Sequence, residues 1–212
     1  VSDLYLDLGA GLSVQAAAAM AQHEDGVAVR AKGRFVNLSM DRLPLYWPKD
    51  IGADARSWIF DNIPSGLITE GRFDIDIRPG DLKRADPRPG MARLDWTFRD
   101  VRASYFGEFP VIEAARGSGS IDGIEFGLTV DGATAGGLKL SEGRLHIADL
   151  TAQPPLLDVE LVAHGPVPKA LSLLNAKPLA VADALGLRPK DTGGTSATRA
   201  RGPSSRRPIG VY

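Results

Sequence analysis

From position 72 to position 78 the chain alternates without exception: Phe73, Ile75 and Ile77 are apolar, and Asp74 and Asp76 between them are charged. Successive side chains of an extended chain point to opposite faces, so the run demands a β-strand with one face in water and one against apolar matter. The pattern returns at Leu94, Trp96 and Phe98, and again at Ile124, Phe126, Leu128 and Val130. It is weaker at Leu138 and Leu140, Leu145 and Ile147, and Val159 and Leu161. Asp25-Gly26, Asp122-Gly123, Asp131-Gly132 and Glu142-Gly143 read as tight turns between such runs. The gaps do not hold the helix of a dozen or so residues that a parallel crossover requires. The expectation is a mainly β, antiparallel meander.

Residues 12–22 pull two ways. Their alanines favour a helix, while Asp25-Gly26 and the following Val27, Val29, Ala31 favour a hairpin; the segment reads as strand. Residues 51–63 place Ile51, Ala55, Trp58 and Ile59 at helical spacing and stop before Pro64, which predicts a short amphipathic helix crossing or capping the sheet. Further helical patches fall at 168–175 and 180–187. From Arg188 onward the pattern ceases, and six basic residues against one acidic, with Gly, Ser and Pro, predict disorder. The organisation is therefore a β-rich segment over 1–187 and a basic tail over 188–212. Without the tail's +5, the net charge of −1 becomes −6.

Composition removes several functions. A net charge of −1 offers no reason to expect a nucleic-acid partner, and zero cysteines exclude disulfides, thiol catalysis and thiolate metal sites. The apolar run 16–21 is far short of the roughly 20 residues a spanning helix needs. His23, His146 and His164 have no second histidine at metal-site spacing, and neighbouring carboxylates lie on strands, where such spacing diverges. Asp74, Asp76, Asp95, Glu125 and Asp158 occupy the wet phase of strands. The glycine-rich stretch 117–123 has its third glycine one place late for a dinucleotide loop, with no helix after it. Tyr46, Trp47 and Trp58 read as packing of the helix on the sheet edge, not as a ligand cage. The expectation is no enzyme, no metal and no cofactor.

The stretch Leu43-Pro-Leu-Tyr-Trp-Pro, followed by Ala55-Arg-Ser-Trp-Ile, Asn62-Ile and Gly66, resembles the AsmA-like proteins of bacterial envelopes, in their YhdP-like branch. The match continues with Gly71-Arg-Phe-Asp-Ile-Asp-Ile, Tyr105-Phe-Gly-Glu-Phe-Pro-Val-Ile, the region 117–132, Ile147-Ala-Asp-Leu and Leu157-Asp-Val-Glu-Leu-Val-Ala-His-Gly-Pro, covering about residues 1–195. Tyr46, Trp47, Pro48, Trp58 and Gly66 then stand as structural residues of the signature. The resemblance implies a curved sheet forming an open groove, with one or two short amphipathic helices, inside a lipid-transfer protein that spans the periplasm from an inner-membrane anchor. Phospholipid is the implied partner, membranes being reached through parts of the protein outside this chain. Val1 opens inside an alternating run with no signal-peptide pattern, so the chain reads as a fragment of that longer protein. The groove candidates are Phe73, Ile75, Ile77, Leu94, Trp96, Phe98, Ile124, Phe126, Leu128 and Val130. Two rivals remain: a β-sandwich whose greasy faces pack on each other, and a hydrolase using His164 with Glu160.

Overall fold

The computed structural model describes residues 2–47, 49, 53–81, 88–104, 110–152, 156–169 and 195–201. Ten strands run in chain order: β1 (Ser2–Asp7), β2 (Ser13–His23), β3 (Gly26–Ser39), β4 (Ser65–Ile77), β5 (Ala92–Ala103), β6 (Ile112–Asp122), β7 (Glu125–Ala135), β8 (Leu138–Ile147), β9 (Leu157–Pro166) and β10 (Thr195–Arg201). Each pairs antiparallel with the next, giving one open sheet whose spatial order is the sequence order. The mainly β antiparallel meander is thus present, and it forms one sheet instead of the two facing sheets of a sandwich. Two short helices, α1 (Leu43–Tyr46) and α2 (Ala53–Asn62), interrupt it between β3 and β4.

The alanine-rich segment is strand because both its edges are used: β1 pairs it on one side and β3 on the other, with Ala16 facing Leu4 and Gly33. Ladder hydrogen bonds on two sides outweigh a helix propensity of a few tenths of a kcal/mol per residue.

Two of the turns read from the sequence are not turns. Asp131-Gly132 lies inside β7 and Glu142-Gly143 inside β8, and the hairpin between these strands turns at Gly136-Gly137, both with positive φ (58° and 81°). The interior Gly steps belong instead to a line of bulges. Asn37 in β3, Asp100 in β5 and Ala114 in β6 have φ of 58°, 54° and 50°. Pairing slips between Ile68 and Glu70, Phe98 and Val101, Glu113 and Arg116, and Leu140 and Glu142, and β7–β8 pairing skips from Val130–Gly143 to Ala133–Leu140. These irregularities form a seam across β3 to β8. Bulges bend the strands that carry them and raise the local twist. The buried cluster Phe98, Ala115, Ala133, Ala135, Leu138, Leu140 and Ala163 begins at this seam and occupies the end of the sheet from which α1 and α2 emerge.

The tail departs from expectation as well, since Thr195–Arg201 pairs with β9 as the tenth strand. Backbone pairing with an open edge needs no apolar alternation, which explains why the pattern missed it. The rest of 188–212, the patch 180–187 and all but the first two residues of 168–175 lie outside the described residues.

Glycines inside strands set the thickness of the sheet. A Cβ at Gly117 would strike the Thr129 carbonyl oxygen, a backbone atom that cannot swing aside, whereas one at Gly127 would meet only the Ser120 hydroxyl at 3.1 Å. Gly117→Ala is expected to cost about 1–3 kcal/mol, and Gly127→Ala to stay within about 0.5 kcal/mol of the parent because lost unfolded-state entropy offsets a small adjustment. Urea unfolding of the two variants side by side checks the contrast.

Candidate functional site

Directly opposed residues of an antiparallel pair project from the same face. Following the register across the sheet therefore sorts every strand residue. One row reads Leu4, Ala16, Gly33, Phe73, Leu94, Ile121, Phe126, Ile147, Leu157; the next reads Leu6, Val14, Phe35, Gly71, Trp96, Gly119, Leu128, Leu145, Val159. Both cross nine strands, β1 to β9, and contain nothing but apolar residues and glycine. Flanking them are Ala31, Ile75 and Ala92 on one side and Phe98, Gly117, Val130, Gly143 and Leu161 on the other, with Ile77 opposite Val29.

Nine of the ten groove candidates thus share one face. Ile124 does not belong to the rows, because it sits in the turn between β6 and β7, where its carbonyl accepts the Leu150 N–H at 2.8 Å. Phe98 is buried at the seam, and the others are half-buried, with no second sheet over them among the described residues. Leu4, Leu6 and Met20, at the β1–β3 side of the same face, are exposed.

Bulk and absence of bulk alternate across this face. The Phe35 ring lies over Gly71, Phe73 over Gly33 and Trp96 over Gly119, each ring occupying the space a Cβ would take. Trp96 and Phe126 meet with centroids 6.1 Å apart. Phe35, Gly33, Gly71, Ile121 and Leu145 were not singled out from the sequence as site residues. The signal lay in the register, which brings glycine opposite an aromatic.

The other face is polar from edge to edge. Tyr5, Gln15, Arg34, Arg72, Asp95, Ser120, Gly127, His146 and Asp158 form one of its rows. Lys32–Asp74 (2.8 Å), Arg72–Glu70 (2.9 Å) and His146–Glu125 (2.8 Å) pair there. A shallow depression of about 530 Å³ lies over Ser118, Ser120, Gly127 and Thr129, where small residues leave a dent between longer charged ones. His164 contacts the Ser141 hydroxyl at 2.9 Å, while Glu160 sits opposite Arg144 and Arg201; the two do not come together as an acid–base pair. Among the described residues no three His, Asp or Glu side chains converge as a metal site, and no helix is long and apolar enough to cross a membrane.

The signature residues form a local unit at the helical end. Trp47 meets Phe60 edge-on at 6.1 Å, and Arg56 stacks on Phe60 at 4.5 Å while donating to the Trp47 carbonyl at 3.2 Å. Phe60 is the helix aromatic that meets Trp47, and Trp58 and Tyr46 are more than a third exposed. The helix thus contacts the residue that closes α1, and it is tied to the sheet where the Ser104 N–H donates to the Asn62 carbonyl (2.8 Å). Gly66 has φ 148° and a Cβ there would sit 2.6 Å from Val101. Pro48 lies outside the described residues.

At the opposite end a charged clamp closes the β4–β5 connection. Arg88 binds Asp76 and the buried Asp81, each at 3.0 Å, and Arg30 and Arg78 also reach Asp76. Burial opposes the charge on Arg88, but its two carboxylate partners outweigh that and hold its pKa above the ordinary value. The Arg88 hydrogen bond, against a desolvation penalty and with help from Arg30 and Arg78, holds Asp76 below 3.8.

Comparison with family models, with curated proteins and with solved structures finds no match for this chain.

Because the folded pKa of Asp76 is depressed, its ionisation stabilises the fold above pH 3.8, and that contribution is lost as pH falls through the lower folded value. Asp76→Asn is expected to melt below the parent at pH 7, with the gap closing as pH falls through the lowered folded value. Thermal melts across pH 2–7 read the gap directly.

Proposed function

We propose that the apolar face is a lipid-binding groove and that the chain works as a non-enzymatic stretch of a lipid-transfer protein. The observation that carries this reading is the pair of nine-strand rows without a polar side chain, largely half-buried and facing no second sheet among the described residues. At about 4.8 Å per strand they extend roughly 38 Å, longer than an extended phospholipid acyl chain. Covering apolar surface is worth about 25 cal/mol per Å² whichever molecule supplies the cover. Acyl chains match this surface because they are apolar, flexible and thin enough to lie on a floor whose aromatic rings fill the space over glycines. The polar face, with its cross-strand ion pairs, suits water.

The resemblance of the Tyr46-Trp47-Pro48 to Gly66 stretch to AsmA-like, YhdP-like proteins supports the same reading and supplies the setting: a bacterial periplasm, an inner-membrane anchor outside this chain and traffic of phospholipid towards the outer membrane. Binding and sliding along a groove break no covalent bond, so the groove residues serve by shape and hydrophobicity.

A photoreactive residue at Ile75 or Phe126 is expected to crosslink phospholipid in cells, and one at Asp74 or Thr129, on the polar face, is not. Native mass spectrometry is expected to show co-purified phospholipid, reduced about tenfold by Leu128→Asp, since burying a carboxylate against acyl chains is costly. Protein free of phospholipid, with equal labelling from both faces, rejects the groove.

A further inference from the structure

The apolar face is bounded differently at its two strand ends. At the end where α1 and α2 emerge it is sealed: Phe98, Leu138 and Leu140 are buried, with Trp96, Leu128, Val130 and Leu161 packed against them. At the opposite end it stays open, and its last row, Met20, Val29 and Ile77, includes a methionine that is 79% exposed. Charges of both signs border that row. Arg30 and Arg78, with side chains 80% and 64% exposed, share the Asp76 carboxylate with Arg88. Counting Asp81, which Arg88 also binds, three guanidinium groups meet two carboxylates and one positive charge is left over. Glu24 and Asp25 stand exposed on the adjoining β2–β3 turn, whose Gly26 lies against Pro79 and Gly80. Asp122 and Asp149, farther along the same end, accept the N–H groups of Gly90 (2.7 Å) and Thr151 (2.8 Å) and serve their own turns.

We propose, resting on the groove reading, that this open rim is a headgroup subsite for a zwitterionic phospholipid. The phosphodiester lies at Arg30 and Arg78, the ammonium group at Glu24 and Asp25, and the acyl chains run along the strands toward the seam. Length agrees with that orientation. From Ile77 back to Ile68, which stands opposite the buried Phe98, β4 advances nine residues, about 30 Å at roughly 3.3 Å each. The chains of one bilayer leaflet reach about 15 Å, half of a hydrocarbon core about 30 Å thick. A lipid held at the rim therefore ends short of the sealed cluster. The reverse orientation sets a charged headgroup among Phe98, Leu138 and Leu140, where it loses hydration and gains no partner. A headgroup carrying only negative charge meets the arginines but is repelled by Glu24 and Asp25.

Depth-resolved crosslinking tests the orientation. The 212-residue chain is loaded with phosphatidylethanolamine carrying a diazirine either on the headgroup or near the chain terminus, and the labelled residues are mapped by mass spectrometry. The headgroup probe is expected to label residues 20–30 and 76–81, and the chain-end probe Trp96, Leu128 or Val130. Labelling of the apolar face without this order of depth overturns the orientation and leaves the groove standing, whereas no label on that face from either probe overturns both. Competition between phosphatidylethanolamine and phosphatidylglycerol, read by native mass spectrometry, tests the headgroup class. The parent is expected to favour phosphatidylethanolamine about threefold, the size of effect an exposed ion pair supplies. Glu24→Gln/Asp25→Asn is expected to erase that preference, and Arg30→Gln to lower retention of both lipids by a similar factor. Chain-end labelling at Trp96 that persists in the variants distinguishes a lost headgroup contact from misfolding. A parent without preference, or a carboxylate variant that keeps it, overturns the assigned headgroup contacts.

Discussion

Space on one face of an antiparallel sheet is shared between residues that stand directly opposite each other, and this sheet divides that space unequally. Phe35, Trp96 and Phe73 take the volume that Gly71, Gly119 and Gly33 give up. Covering an exposed glycine with a neighbouring ring protects its backbone and restores apolar contact. The outcome is an apolar surface in which rings fill the space left over the glycines. Gly117 extends the same economy to the main chain, packing against the Thr129 carbonyl.

Bending and registration follow from that arrangement. The seam through Asn37, Asp100 and Ala114 divides the apolar face into a closed region around Leu138 and Leu140 and an open region from Val29 to Leu157. Exposed ion pairs on the far side, such as Lys32–Asp74, contribute little stability, about 0–1 kcal/mol each. Their effect is on register: a slip of one residue would turn Phe73 and Ile75 to water and Asp74 to the greasy side. The clamp of Arg88 on Asp76 and Asp81 works at the same task from the strand end, since it holds together the connection that aligns β4 with β5.

The period-two runs made most strands and the polarity of each face legible, and the residues 51–63 made α2 legible within two residues at its start and one at its end. Reading failed where a local cue had two meanings. Asp131-Gly132 and Glu142-Gly143 look like hairpin turns but are bulges, because Gly adopts either geometry and only the partner strand decides. Ile124 kept the alternation of β7 while standing in its turn. Phe60, which the sequence did not single out, is the ring that meets Trp47.

What the sequence determined by itself is the presence of strands with one wet and one greasy face, for alternation is a property of neighbouring residues and the pleat transmits it unchanged. Only the tertiary structure decided which glycine lies under which ring, where the bulges align, and that residues 195–201 form the tenth strand. Those features depend on who stands opposite whom. Pairs such as Gly33 and Phe73 are 40 residues apart, and nothing in a pattern of period two specifies a partner at that distance.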